Sequence, residues 1–259
     1  MLKQLHLVVL NDTERNINAM IEIRHQVSTT TTAREAYDQI YTEQTIAPHW
    51  DTFFAWSLEL LNPSPHTTLL DVCCGIGPML RVASRYQVQV IGIDFSQVAI
   101  RTAAQYGTAW VADALQLPFA DNSFDYVTNL GSLEHLEDMA QGVCEMARVL
   151  KPDGLCAIMV PNLFGHFWTI WYAGLTGDIF DDGQPLQRYA TSHYWHQLFA
   201  ANGLVVLDFL PYELPPPRNL RQWGYYLRHP KRYLPKLLSK YYLSPHLASM
   251  LVFRCMKKP

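Results

Sequence analysis

The chain has 259 residues, 49% hydrophobic and 17% charged, with a formal net charge of -3. That apolar content removes enough surface from water to offset ordering entropy, which excludes long disorder, and the length fits one domain with insertions. Its five cysteines (Cys73, Cys74, Cys144, Cys156 and Cys255) are odd in number and irregularly spaced, which argues against a disulfide framework or a zinc site and predicts a reduced cytoplasmic protein with small buried thiols.

The opening stretch MLKQLHLVVL runs into Asn11-Asp12 without a small-residue cleavage pattern, so no secretory leader is expected. Residues 33–61 carry apolar and aromatic side chains at spacings of three and four, including Tyr37, Tyr41, Ile46, Trp50 and Phe54. This predicts helix, and with it an N-terminal helical cover over residues 1–66. NPSPH then breaks the pattern, and from residue 67 onward apolar strand-like runs alternate with helices. TTLLDV, VQVIGID, TAWVAD and FDYVTNL read as strands, PMLRVASRY and SQVAIRTAAQY as helices, with Ser96 capping the second. A capping-box-like Asp138 with Gln141 starts a further helix whose apolar stripe is Met139, Val143, Met146 and Leu150, and LCAIMVP follows as a buried strand. Such alternation predicts a doubly wound α/β domain over residues 67–259.

After residue 160 the rhythm changes. Residues 154–177 contain no Asp, Glu, Lys or Arg, but Pro161-Asn162, Gly165 and His166 interrupt them, so the first half reads as a core strand rather than a membrane span. Two irregular blocks, 161–190 and 211–247, are longer than ordinary connections and are expected to cover a binding site. Between and after them, a helix near 191–202 and strands near 204–210 and 249–257 complete the domain. Residues 218–259 hold ten Lys and Arg and no acid, whereas residues 1–217 carry ten basic against 23 acidic residues, a balance of -13. A basic face for an anionic partner and a solvated tail packing on an acidic body both fit this split.

LLDVCCGIGPML, residues 69–80, delivers a strand to a Gly-rich turn at a helix start, the general nucleotide-binding device. A dinucleotide fingerprint needs a third glycine where Leu80 stands, and the carboxylate of Asp71 would repel a pyrophosphate. The same carboxylate suits a ligand that bears positive charge and no phosphate. LLDVCCGIG resembles the first motif of class I S-adenosylmethionine-dependent methyltransferases, in the group of the ubiquinone and menaquinone C-methyltransferases, with Cys73 where that motif usually has its first glycine. VIGIDFS, ADALQLPFADNSFDYV, NLGSLEHLED and MARVLKPDG resemble the family's later motifs in order, over residues 67–160.

The resemblance implies a Rossmann-like, mostly parallel seven-stranded sheet with N-terminal helices and two inserts. It implies S-adenosyl-L-methionine as cofactor and S-adenosyl-L-homocysteine as product, held by Asp71, Cys73, Gly75 and Gly77, by Asp94 and Phe95 at the ribose, by Asp113 and Ala114 at the adenine, and by Leu130 and Gly131 beside the methionine part. Tyr37 and Tyr41 would cover it, although aromatic residues at this spacing also serve as plain core. Asp94 and Asp113 also fit helix caps or turns, and His135 a structural histidine. Methyl transfer is an in-line displacement that needs alignment, exclusion of water and, for a hydroxyl or an enolisable carbon, a general base. His135, His166 and His193 are the candidates, and no metal is required. The aromatic first insert (Phe164, Phe167, Trp168, Trp171, Tyr172) and the basic, aromatic residues 218–247 point to a small apolar or aromatic acceptor, with peripheral membrane contact. RNA methylation, a non-catalytic cofactor-binding protein of the same fold and a nicotinamide oxidoreductase are the alternatives.

Overall fold

Short aliphatic strands that each feed a helix build the central sheet, as the alternation in sequence requires. The computed structural model describes residues 3–11, 17–25, 30–43, 51–214 and 217–259. In chain order the elements are β1 (Lys3–Asn11), β2 (Ile17–His25), α1 (Thr30–Glu43), α2 (Asp51–Leu61), β3 (Thr68–Val72), α3 (Pro78–Ala83), β4 (Gln89–Asp94), α4 (Gln97–Ala103), β5 (Thr108–Val111) and β6 (Phe124–Leu130). Then come α5 (Met139–Val149), β7 (Leu150–Pro161), α6 (Trp171–Thr176), β8 (Leu186–Ala190), α7 (Ser192–Ala201), β9 (Leu204–Tyr212), α8 (Leu220–Arg228), α9 (Pro230–Leu238) and β10 (Met250–Lys257).

Seven strands form one sheet in the order β5-β4-β3-β6-β7-β10-β9. All pairs from β5 to β7 are parallel, and β10 runs antiparallel to both β7 and β9. This is the expected doubly wound arrangement. The chain leaves β3 toward β4 and β5, then returns to β6 on the other side, so the carboxyl ends of β3 and β6 flank a topological switch point where such folds hold ligands.

Burial on both faces alternates with the two-residue period of a strand. Leu69, Met159 and Val252 pack under Phe53, Leu58 and Val82 of α2 and α3, while Leu70, Ile158 and Phe253 pack under Val143, Trp195 and Phe199 of α5 and α7. Caps hold the helices as read, Ser96 Oγ accepting from the Ala99 amide and Asp138 Oδ1 from the Gln141 amide. The reciprocal half of the capping box is absent, because the Gln141 side chain donates instead to the carbonyl of Leu115.

Three expectations need correction. Residues 3–11 and 17–25 lie in strands, not helix: β1 and β2 pair antiparallel, and β2 also pairs with β8 from the first insert, making a separate three-stranded sheet. The cover is helical in α1 and α2, and the predicted helix between them, with Ile46 and Trp50, lies outside the described residues. Residues 211–247 are not irregular throughout, since α8 and α9 occupy about half of them. Cys144 is exposed on α5, whereas Cys74, Cys156 and Cys255 are buried free thiols.

Arg188 ties the small sheet to the large one. It is 4% exposed, and its guanidinium donates to Glu22 of β2 at 2.8 Å and to the backbone carbonyl of Leu136, after β6, at 2.5 Å. Burial pushes the Glu22 carboxyl up, but hydrogen bonds and charge from Arg188 and Arg24 outweigh it, and its pKa is net lowered. Removing one partner of a buried pair leaves the other charge uncompensated. Arg188→Leu is therefore expected to lower the unfolding free energy in urea by about 3 kcal/mol, and adding Glu22→Gln to recover part of that loss. Additive losses in the double variant would contradict the pairing.

Candidate functional site

Asp71 ends β3 as an acid within an apolar strand, and only 4% of it is exposed. Its Oδ1 accepts from the Thr128 hydroxyl of β6 at 2.7 Å. Burial drives the carboxyl up to about 7, with the Thr128 bond opposing and the Asp94 charge adding. Past it the chain turns through Cys73, Gly75 and Gly77, all at positive φ (59°, 53° and 80°). Cys73 therefore carries a side chain in a backbone conformation that L residues other than glycine enter at a cost. Burial and the neighbouring Asp94 push its thiol well above the ordinary range, so it stays protonated and is no nucleophile.

Asp94 ends β4, equally buried. One oxygen accepts the Gly75 amide at 3.0 Å and the other the Ser96 amide at 2.9 Å, so the first turn is folded onto the second acid. Burial outweighs these bonds and raises this carboxyl to about 6. Among the described residues no Lys, Arg or His is bonded to either acid. Two carboxylates held this way create a demand for positive charge from a ligand.

Both acids open into one cavity of about 580 Å³. Cys73 and Gly75 line it from the first turn and Phe95 from the second, Asp113 and Ala114 from the end of β5, and Leu130 and Gly131 from the end of β6. Asp113 also behaves as a turn former, with Oδ1 accepting the Leu115 amide at 2.9 Å. From α1, Tyr37 and Tyr41 complete the wall. The Tyr37 ring packs 5.4 Å from that of Phe95 and its hydroxyl donates to Gln184 at 3.0 Å. A Cβ on Gly75 would stand 3.0 Å from the Tyr41 hydroxyl, so the turn approaches α1 as closely as glycine allows. Asp38 docks the helix, accepting from the Ser96 hydroxyl at 2.5 Å.

His135 reaches the same cavity from the turn after β6. Its Nδ1 donates to the carbonyl of Leu186 at 2.5 Å, which fixes the tautomer and leaves Nε2 with its lone pair. Nε2 lies 3.8 Å from Glu134 Oε1. Burial lowers the imidazole pKa and raises Glu134 to about 8, so near pH 7 both groups are neutral and the contact is not an ion pair.

Three residues predicted for the site stand elsewhere. Gly77 does not border the cavity; it lets the turn pack on α4, where a Cβ would come within 2.8 Å of the Ala103 Cα. His166 lies in the turn before α6 with its ring against Phe167, and His193 is exposed on α7, bonded to Gln197. Neither lines the cavity. Sequence reading missed Asp38, which lies in the helical stretch read around Tyr37 and Tyr41, the Gln184–Leu186 edge, which belongs to no motif, and Glu134, which stands beside His135 in NLGSLEHLED.

A methyltransferase-domain family model matches residues 70–158. The chain is 36% identical to a 2-phytyl-1,4-naphtoquinone methyltransferase of Trichormus variabilis, over 48% of this chain and 58% of that one. It is 35% identical to a demethylmenaquinone methyltransferase of Desulfitobacterium hafniense (38% and 44% covered) and 32% identical to an O-methyltransferase of Pyrenophora dematioidea (60% and 55%). The chain thus spans about half the length of the curated relatives it matches. Among solved structures, the [4+2]-cyclase SpnF superposes with a TM-score of 0.65 at 22% identity, covering 91% of this chain and 99% of that one. An S-adenosylmethionine-dependent methyltransferase of Thermotoga maritima gives 0.58 at 16% identity, covering 86% and 99%. Those likenesses establish the fold alone, while the ordered motifs between residues 70 and 158 carry the kinship. Residues 70–158 are thus a methyltransferase domain, and over part of its length the chain is homologous to the menaquinone methyltransferases at about 35% identity.

Proposed function

We propose that the protein transfers a methyl group from S-adenosylmethionine to a small lipophilic acceptor, at carbon or oxygen. The observation that carries this reading is the convergence of two buried, cation-free carboxylates on one cavity that α1 and the first insert close. The residues fit the cofactor. Its ammonium and sulfonium answer the demand for positive charge made by Asp71 and Asp94, and it carries no phosphate for those acids to repel. Asp94 would accept the ribose hydroxyls, Asp113 the adenine amino group, and Gly75 and Gly131 leave backbone open to the methionine part. Tyr37, Tyr41 and Phe95 exclude water around them.

When bound, the cofactor supplies an electrophilic methyl group whose sulfonium charge is lost in transfer. What remains for the protein is to hold the acceptor in line, keep water out and remove a proton if the acceptor is a phenol, alcohol or enolisable carbon. His135 suits that last task, because its Nδ1 proton is tied to Leu186 and its Nε2 is neutral at physiological pH. The acceptor's side of the cavity is apolar, with Leu136, Pro185 and Leu186. The quinone and O-methyl relatives support a ring-containing acceptor that acidifies a carbon or oxygen. A cofactor-binding protein of the same fold put to other chemistry is the second reading, and turnover separates the two.

Release of labelled methyl into an organic-extractable product from a panel of hydroxynaphthoquinones and phenols is the direct test, with no labelled product in the presence of bound cofactor as the contrary result. His135→Ala is expected to lower kcat about 100-fold or more, with S-adenosylhomocysteine affinity within about threefold of the parent. The parent rate should fall as pH drops through the lowered His135 pKa, where the base becomes protonated, and stay level above it; a rate that rises on acidification removes His135 from this role. Cys73→Gly relieves the left-handed side chain and widens the approach to the turn, so the expected outcome is binding tighter by about threefold, with unfolding free energy equal or higher by up to about 1 kcal/mol. Weaker binding would identify the thiol as a ligand contact.

A further inference from the structure

Helices α8 and α9 are amphipathic in the inverted sense. In α8 the inward side chains are Gln222 and Tyr226, 4% and 3% exposed, while Leu220, Trp223 and Leu227 face outward at 89%, 47% and 68%. Those outward positions recur at spacings of three and four, an apolar stripe turned toward solvent. In α9 Tyr233 is buried, and Leu234 and Leu238, one turn apart, are half exposed. Arg221, Arg228 and Lys231 flank the stripe, all exposed and without an ion pair among the described residues. No acidic residue occurs anywhere from 218 to 259.

The first insert extends this face. Lys236 of α9 stands with its Nζ 5.1 Å from the Trp168 ring and 5.7 Å from that of Phe167, joining α9 to the aromatic segment before α6. Helix α6 exposes Trp171 and Leu175 at 51% and 73%, and the far end of the insert, Gln184 to Leu186, lines the cavity. Among the described residues no helix is long and apolar enough to cross a membrane, so any lipid contact made by these helices is interfacial.

We infer that the two inserts form one docking surface for an anionic phospholipid membrane, α8, α9 and α6 seating leucine and tryptophan side chains among the acyl chains while Arg221, Arg228 and Lys231 meet the headgroups. A solvent-facing leucine stripe bordered by basic residues and free of acids is complementary to such a surface. Its four outward leucines, Leu220, Leu227, Leu234 and Leu238, offer no face on which a base can stack, which favours a lipid surface over RNA. The surface would bring a lipophilic acceptor to the edge of the cavity; that consequence rests on the methyl-transfer reading, whereas the docking does not.

Vesicle co-sedimentation of the full chain tests it, with phosphatidylcholine vesicles containing or lacking about 30% phosphatidylglycerol, at about 50 and 300 mM KCl. The protein is expected to pellet with anionic vesicles at low salt, to lose about tenfold or more in partitioning at high salt, and to ignore phosphatidylcholine alone. The triple variant Leu227→Gln, Leu234→Gln, Leu238→Gln should partition about tenfold more weakly with an unchanged thermal midpoint. The inference is overturned if the parent stays in the supernatant, if it pellets equally with neutral vesicles, if the triple variant binds as the parent does, or if single-stranded RNA competes the protein off vesicles and binds the triple variant as tightly. Failure of cofactor binding would sink the methyl-transfer reading and leave the vesicle result standing.

Discussion

Asp94 and Asp71 are two carboxylates at neighbouring strand ends, each almost wholly withdrawn from water and neither bonded to a cation among the described residues. Much of the surrounding structure answers to that constraint. The amides of Gly75 and Ser96 converge on Asp94 and the hydroxyl of Thr128 on Asp71, partial solvation that leaves both acids with raised pKa values of about 6 and 7. In the ligand-free protein this costs stability as pH rises from about 4 to 7, since over that range the folded chain holds protons the unfolded chain has lost. A ligand that brings positive charge reverses the sign. The fold therefore accepts a weakness at its switch point that only the right ligand relieves.

Around this centre α1 and the turn of His135 meet their neighbours through a few polar contacts. Asp38 on Ser96, Tyr37 on Gln184 and His135 on Leu186 are single hydrogen bonds, each contributing about 1 kcal/mol net. The strands below are fixed by fully buried Leu70, Ile158 and Phe253, residues whose truncation costs about 2–5 kcal/mol. The cavity thus lies between a rigid floor that positions the acids and a wall contributed by α1 and the first insert, which Arg188 anchors to Glu22 and the carbonyl of Leu136. The same wall carries Gln184 to Leu186 to the edge of the cavity.

The sequence disclosed what is local and concealed what is not. Asp71, Gly75, Asp94 and Asp113 could be read because each follows an apolar run at a strand end, where a two-residue period and a turn residue fix the position without knowledge of the fold. Ser96 and Asp138 were legible as caps for the same reason. The β1–β2 pairing went unread because its third strand, β8, lies more than 150 residues away within a segment that looks like an insert. Arg188 and Glu134 resemble surface residues in sequence and are buried only because that distant pairing closes over them. His166 and His193 share the chemistry of His135 and differ only in where the folded chain delivers them.

The central claim is that Asp71 and Asp94 bind a cationic, phosphate-free adenosyl ligand, and calorimetric titration with S-adenosylmethionine from about pH 5.5 to 8.5 tests it most directly, with NADH as control. The account predicts micromolar binding of the first alone, with affinity falling as pH drops through about 7 and 6 and protons released on binding, because ligand and proton compete for the same carboxylates. Affinity independent of pH over that range, or no binding by folded protein, would contradict it.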